Sequence, residues 1–296
     1  MKIGHMQFNL NNLIKFLIGC NLVMFLVVGA MLGVGNKDSN AEASKKHTNS
    51  AAIMNIVKSN DVIGKTDTSM FKSAVKLTTA KVDKKSKTAF LTFDDGPSIN
   101  TDKILAILRK YHVKATFFVN GHTDKNSKKM YKLILKDGNV IGNHTYSHEY
   151  KYVYKSIPNF KKDIIKLNDY VEKLTGKEPI KVLRFPGGSN NRVSIRYGGK
   201  HIMKNLVKQV KKMGYSYVDW NVDSEDASAV MISKKRIVNN VLSECKWKKT
   251  AVILMHDSAP KKTTVAGLAQ IISSLKKKGF RFDTIDHMNT KIQFLK

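Results

Sequence analysis

From Thr88 onward the chain alternates two patterns of apolar and polar positions. Short runs of β-branched and aromatic residues predict strands over Thr88–Phe93, Ala115–Val119, Asn139–Gly142, Val182–Phe185, Tyr215–Val218, Ala251–Met255 and Arg281–Thr284. Between them, apolar residues recurring at every third or fourth position predict helices over Thr101–Lys110, Asn126–Lys136, Phe160–Leu174, His201–Lys212, Lys234–Glu244 and Thr263–Lys278. Regular alternation of this kind gives an α/β architecture, a parallel sheet closed or nearly closed behind a layer of outer helices. Helix ends carry their own stop signals at Lys136-Asp137-Gly138, Lys212-Met213-Gly214 and Lys277-Lys278-Gly279, where a basic last turn meets a glycine.

The N-terminal part reads differently. Leu13 to Val34 is almost wholly apolar, broken by Lys15 and Asn21, and Phe16–Gly35 as a helix would span about 30 Å, enough to cross a bilayer's hydrocarbon. Lys2 and Lys15 supply a basic flank, and Ala41-Glu42-Ala43 offers a cleavage site several residues beyond the apolar run. The length of the run favours retention. We therefore expect residues 1–36 to be a signal or membrane anchor, 37–86 a lysine-rich, partly ordered spacer, and 87–296 the main domain, held outside the cell membrane or secreted if the signal is cleaved. Leu17-Ile18-Gly19-Cys20 resembles a lipobox, but too little of the apolar run precedes the cysteine.

Composition narrows the partners. The formal net charge of +29, from 52 Lys and Arg against 23 Asp and Glu, is scattered through every segment, without a basic arm or a nucleic-acid-binding signature. This describes a solvated basic surface with attraction to an anionic cell wall, and excludes nucleic acid as the expected partner. Cys20 and Cys245 lie in different segments, so no intrachain disulfide is expected. No protein partner is implied.

The candidate chemistry begins at Thr92-Phe93-Asp94-Asp95-Gly96-Pro97, where two carboxylates fall at the end of a buried strand. Adjacent aspartates there require a cation close by. His144 and His148, spaced to share one face of a helical turn, would provide two imidazoles. Two histidines and one carboxylate form the ligand set of a catalytic metal with open positions, and the spare carboxylate suits a general base. Which aspartate does which, the spacing leaves open.

Asp-Asp-Gly-Pro followed by His-x-x-x-His resembles the polysaccharide deacetylase family, carbohydrate esterases sharing the NodB homology domain, and the resemblance runs from about Lys87 to the C-terminus. It implies a distorted, incomplete (β/α) barrel of about seven parallel strands. It also implies Asp94 as base and Asp95, His144 and His148 as ligands of a divalent ion, Zn2+ first, with Co2+ or others possible. Arg184-Phe185-Pro186-Gly187-Gly188 resembles the family's arginine-proline segment, so Arg184 is expected to hold Asp94 ionised and the Gly187 amide to face the oxyanion. A glycine at 187, where the family frequently has tyrosine, removes a ring from the groove wall. Asp223-Ser224-Glu225-Asp226 matches the family's aspartate segment, with Ala227 in place of its tryptophan; Asp226 is expected to orient the imidazole of His256, with Asp223 as competing candidate. Leu254-Met255-His256 matches its last motif, giving His256 as general acid and Leu254 as lining for the acetyl methyl. Trp220 could stack on a sugar or simply belong to the core. His47, His112, His122, His201 and His287 fall outside motifs and read as surface or core, and Asn191–Lys200 as a basic loop near the groove.

The expected reaction is hydrolytic N-deacetylation of a cell-surface glycan, N-acetylglucosamine of peptidoglycan before N-acetylmuramic acid, chitin-like oligomers or poly-N-acetylglucosamine, with lysozyme resistance as its consequence. A non-catalytic glycan-binding protein should lack a base, ligand or acid, and all are present. An iron oxygenase with a similar ligand set needs neither the second aspartate nor His256.

Overall fold

The computed structural model describes residues 86–295, so the expected anchor and spacer lie outside the described residues. The apolar run after Ser86 becomes the central strand β1 (Lys87–Asp94), around which the other strands are arranged: β2 (Thr116–Val119), β3 (Val140–Asn143), β4 (Val182–Leu183), β5 (Ser216–Tyr217), β6 (Val222–Asp223), β7 (Thr250–His256) and β8 (Phe280–Phe282). The order is β5-β4-β3-β2-β1-β7-β6, with β8 pairing β1 off that path. Every pairing is parallel. One side of β1 runs along β7 from Thr88↔Thr250 to Asp94↔His256. The other side is shared, by β8 at its start and by β2 at Thr92–Asp94.

Successive side chains of a strand point to opposite faces, and β1 shows what each face does. Ala89, Leu91 and Phe93 enter the large core between sheet and helices, where Phe93 stacks on Phe117 at 5.2 Å. Phe90 faces the concave side, in a smaller cluster with Phe118, Val218, Val252 and Ile285. Thr92 and Asp94 follow Phe90 on that side, so the strand carries its one catalytic candidate to the mouth of the concave face. Both faces being covered, the strands read as nearly continuous apolar runs.

The helical layer consists of α1 (Thr101–Lys110), α2 (Lys125–Lys136), α3 (Tyr150–Val153), α4 (Ile157–Thr175), α5 (Ile195–Gly198), α6 (Ile202–Lys212), α7 (Lys234–Glu244) and α8 (Lys262–Lys277). Three of them start on side-chain caps, Asp124, Ser156 and Ser233 each accepting from a backbone N–H three residues on. The expected stop glycines Gly138, Gly214 and Gly279 take left-handed backbone, with φ of 73°, 78° and 80°. Among the described residues no helix is long and apolar enough to cross a membrane. Cys245 is a buried free thiol.

The barrel is incomplete, as the resemblance implied. β5 and β6 end the sheet on opposite sides, and the chain steps between them: Val218 N–H still donates to Leu183 O of β4, whereas Asn221 N–H donates to Val252 O of β7. The C-terminal residues fill in behind this step. Asp219 N–H donates to Ile292 O, and the buried Asp219 carboxylate accepts from Ser189 N–H, Ser189 Oγ and Phe294 N–H at 2.6–2.8 Å. β6 was not anticipated, because two residues inside an acidic stretch carry no periodicity. The expected strand Val182–Phe185 is shorter than predicted, although Arg184 N–H still reaches Asn143 O.

Candidate metal centre and active site

β1 delivers both aspartates to the open end of the sheet but separates their roles by backbone. Asp94 continues the strand with its side chain buried on the concave side, whereas Asp95 turns into left-handed conformation, φ 72°. Its N–H bonds Phe118 O and its carbonyl accepts from His122 Nε2 at 2.9 Å. His122, which the sequence pattern left as surface or core, thus helps to hold Asp95. Gly96 must lack a side chain, since a Cβ there would lie 2.5 Å from Asp257 Oδ2.

The two histidines are not on a helical turn. His144 to Glu149 is a loop after β3, with Thr145 and His148 in left-handed backbone at φ 70° and 53°. Each such residue costs on the order of 1–3 kcal/mol. The conformation is imposed by polar groups beneath it: Asn143 Oδ1 accepts from Thr145 N–H, and buried Asp163 Oδ1 accepts from both Tyr146 and Ser147 N–H, at 2.6–2.9 Å. Asn120 Nδ2 closes the arrangement by donating to the carbonyls of His144 and Thr145. Asp163 escaped the sequence reading, yet it left a signal. It lies on the buried stripe of α4 with Phe160, Ile164 and Leu167, where a carboxylate needs a reason.

This loop brings His148 Nε2 to 3.4 Å and His144 Nε2 to 3.6 Å from Asp95 Oδ1. His144 Nδ1 lies 2.8 Å from Arg184 O, so that nitrogen carries the proton and Nε2 keeps its lone pair. Burial, and then the neighbouring His148, lower the His144 pKa to about 3, leaving it neutral. Asp95 Oδ1 is the one buried side-chain polar atom without a hydrogen-bond partner among the described residues. Two imidazole nitrogens and an orphaned carboxylate oxygen, all within 4.8 Å of one another, fit a divalent ion. Tetrahedral ligands bonded at zinc distances are about 3.3 Å apart, close to the separations seen.

Asp94 Oδ1 accepts from Arg184 Nη1 at 2.8 Å. The guanidinium is wholly buried, bonding also Thr92 Oγ1, Val218 O and Asp219 O and lying 4.4 Å from the Phe118 ring centre. Arg184 pulls the Asp94 pKa down, but burial outweighs it, and the carboxyl sits above its ordinary range.

His256 ends β7 directly opposite Asp94. Its Nδ1 lies 2.7 Å from Asp226 Oδ1, its backbone N–H donates to Asp226 Oδ2, and Thr264 Oγ1 donates to the same oxygen. Against the cost of burial, this carboxylate raises the His256 pKa to about 9, so the imidazole is protonated at neutral pH. Lys261 fixes the Asp226 loop by donating to the carbonyls of Asp226, Ala229 and Val230. Asp223, the competing candidate, is directed elsewhere, its Oδ1 accepting from Glu225 N–H.

Of the groove residues, Leu254 is buried two positions before His256, on the same face of β7. Gly187 has φ 75°, and a Cβ there would lie 2.5 Å from the Tyr150 hydroxyl. Trp220 is half-buried, packed edge-to-face on Phe294 at 4.9 Å and against Gly188, where a Cβ would be 3.0 Å away. Its ring therefore belongs largely to protein packing. Beside the triad, Asn120, His122, Tyr146, Ser147 and Ser258 line an open depression.

The chain is similar to known proteins in sequence and in fold. Residues 81–218 match the family model described as polysaccharide deacetylase. A peptidoglycan-N-acetylglucosamine deacetylase of Bacillus cereus is 33% identical over 212 residues, covering 71% of this chain and 92% of that protein. A peptidoglycan-N-acetylmuramic acid deacetylase of Bacillus subtilis is 29% identical, covering 69% of this chain and 72% of the other. The crystal structure of the catalytic domain of a peptidoglycan N-acetylglucosamine deacetylase from Eubacterium rectale superposes with a TM-score of 0.67 at 36% identity, covering 72% of this chain and 94% of that one.

Proposed function

The chain belongs to the polysaccharide deacetylase family of hydrolytic enzymes, and from this premise we propose that it removes acetyl groups from N-acetylglucosamine in peptidoglycan. The observation carrying this reading is convergence: Asp94 and His256 face each other on paired strands, with Asp95, His144 and His148 beside them. A divalent ion held by those three, Zn2+ or another such as Co2+, would polarise the acetamido carbonyl and acidify a water. Asp94, clamped by Arg184 and made more basic by burial, takes the proton of the attacking water. The Gly187 N–H donates to the carbonyl oxygen as charge builds there. His256, charged and oriented by Asp226, protonates the departing nitrogen, and acetate and a free amine result. A buried carboxylate paired with arginine and an imidazolium paired with aspartate keep base and acid in opposite protonation states.

A glycan-binding role without catalysis would leave this acid–base pair without purpose. In the same reading, residues 1–36 anchor the chain in the membrane, 37–86 span the wall and the domain from 87 works at the cell surface, where free amines would make the glycan resist lysozyme. The test is acetate release by the purified full chain from peptidoglycan and from N-acetylglucosamine oligomers, after chelation and after adding back Zn2+. Metal-dependent release with glucosamine in the peptidoglycan digest supports the reading. Muramic amine instead would move the substrate to N-acetylmuramic acid, and no release from either would refute deacetylation of these glycans.

A further inference from the structure

Tyr150 stands at the rim of the metal site, unused by the mechanism above. It opens α3, two residues beyond His148, and its ring is braced edge-on by the His148 imidazole at 5.7 Å and by Tyr154 at 5.4 Å. The hydroxyl oxygen occupies the space of a side chain at 187: it lies 2.5 Å from the position of a Cβ there, and the ring carbon Cζ 3.4 Å. The Tyr154 hydroxyl, one turn further on, donates to Pro186 O at 2.7 Å. The Tyr150 hydroxyl has no such bond to any described residue, and the residue is only half-buried. A phenol is protonated at neutral pH and donates one hydrogen bond. Here that donor is held rigidly between a metal-ligand candidate and the backbone of Gly187, open to a ligand.

We propose that Tyr150 contacts the substrate, its hydroxyl donating a hydrogen bond to the acetamido carbonyl oxygen alongside the Gly187 N–H. The proposal rests on the deacetylase reading. Its consequence is a kinetic split: a donor that strengthens as the oxygen becomes negative acts on kcat and leaves KM nearly alone.

Tyr150→Phe removes the hydroxyl and keeps the ring. The expected result is a kcat for acetate release from N-acetylglucosamine tetramer lower by about 10- to 100-fold, at or below the low end of losses for an oxyanion donor, because the Gly187 N–H remains. KM, the affinity for Zn2+ measured by chelator competition, and Tm should be essentially unchanged. A readout independent of turnover is the 13C resonance of the acetamido carbonyl in labelled tetramer bound to the chelated protein, which should move upfield in the variant as the hydrogen bond is lost. An active wild type with an equally active Tyr150→Phe variant overturns the role of Tyr150 and leaves deacetylation intact. Loss of Zn2+ affinity together with activity also overturns it, reducing Tyr150 to a brace for His148. A wild type that releases no acetate refutes the deacetylase reading itself, and this contact with it, before the variant is made.

Discussion

Arg184→Met is the sharpest perturbation of the site's internal electrostatics. The side chain is fully buried and its guanidinium bonds Asp94 Oδ1, Thr92 Oγ1, Val218 O and Asp219 O. Methionine keeps much of the apolar stem and removes the charge and every donor. Breaking a buried ion pair from one side costs about 3–5 kcal/mol, because the other charge stays behind. The expected loss at pH 7 is therefore about 4 kcal/mol, measured by denaturant unfolding of chelated protein. Its pH dependence follows from Asp94, whose folded pKa is already above 3.8 and rises further without arginine. A raised carboxyl contributes stability below its unfolded pKa and loses it as pH climbs through the folded one, so the penalty should be small near pH 4 and grow toward neutrality. Adding Asp94→Asn should restore part of the loss, giving a coupling of roughly 2 kcal/mol in the double-mutant cycle. Additivity within about 0.5 kcal/mol, or a penalty independent of pH, would show that the pair does not govern Asp94.

Other expectations follow from neighbouring contacts. Asp226→Asn removes the charge that raises His256 to about 9, so the alkaline limb of kcat/KM should move toward neutral pH and an NMR titration of the imidazole should follow it; an unmoved limb would separate His256 from the acid role. The same pKa, raised from 6.5, means that the stability contributed by this pair is complete below about pH 6.5 and disappears as pH rises through about 9, visible as a falling Tm. Asp163→Ala frees the Tyr146 and Ser147 amides and should weaken Zn2+ binding about 10- to 100-fold while leaving Asp94 and His256 in place, as chelator competition would report. Gly187→Ala should cost less stability in a Tyr150→Phe background than alone, because the hydroxyl is the atom a Cβ would strike; equal costs in calorimetry would contradict the packing. Zn2+ at a hundredfold excess over its Kd should raise stability by about 2.7 kcal/mol, and Asp95→Ala should abolish most of that gain.

How much of this was legible in the chain depended on the kind of signal. The long elements were visible because α1 and α7 bury a 3.6-period stripe and β1 an unbroken apolar run, and both helices have the bounds that the pattern predicted. Strand β6 and helices α3 and α5 are too short for any period to register, and their conformation comes from what they pack on. The ligand candidates were found because Asp94-Asp95 and His144/His148 are close in sequence, but the helical geometry assigned to the histidines was wrong. A loop with two left-handed residues reaches the same convergence, and Asn143 and Asp163, which make it possible, carry no motif. Tyr150 was invisible for a related reason: its relation to Gly187 spans separate elements and exists only once they are folded together.

The long-range contacts also explain how the proposed base and acid can coexist on adjacent strands. Asp94 and His256 occupy paired positions, so a direct pair between them would neutralise both. Instead each is bonded to its own partner from elsewhere in the chain, Asp94 to Arg184 from the end of β4 and His256 to Asp226 from the loop after β6. Because Arg184 bonds the carbonyls of Val218 and Asp219, the arginine that clamps Asp94 is also fastened to the step where the sheet fails to close. Full closure would have required a ladder between β5 and β6 across that step. The open seam leaves the carbonyls of Val218 and Asp219 free to hold the guanidinium, which ties the incompleteness of the barrel to the chemistry at its mouth.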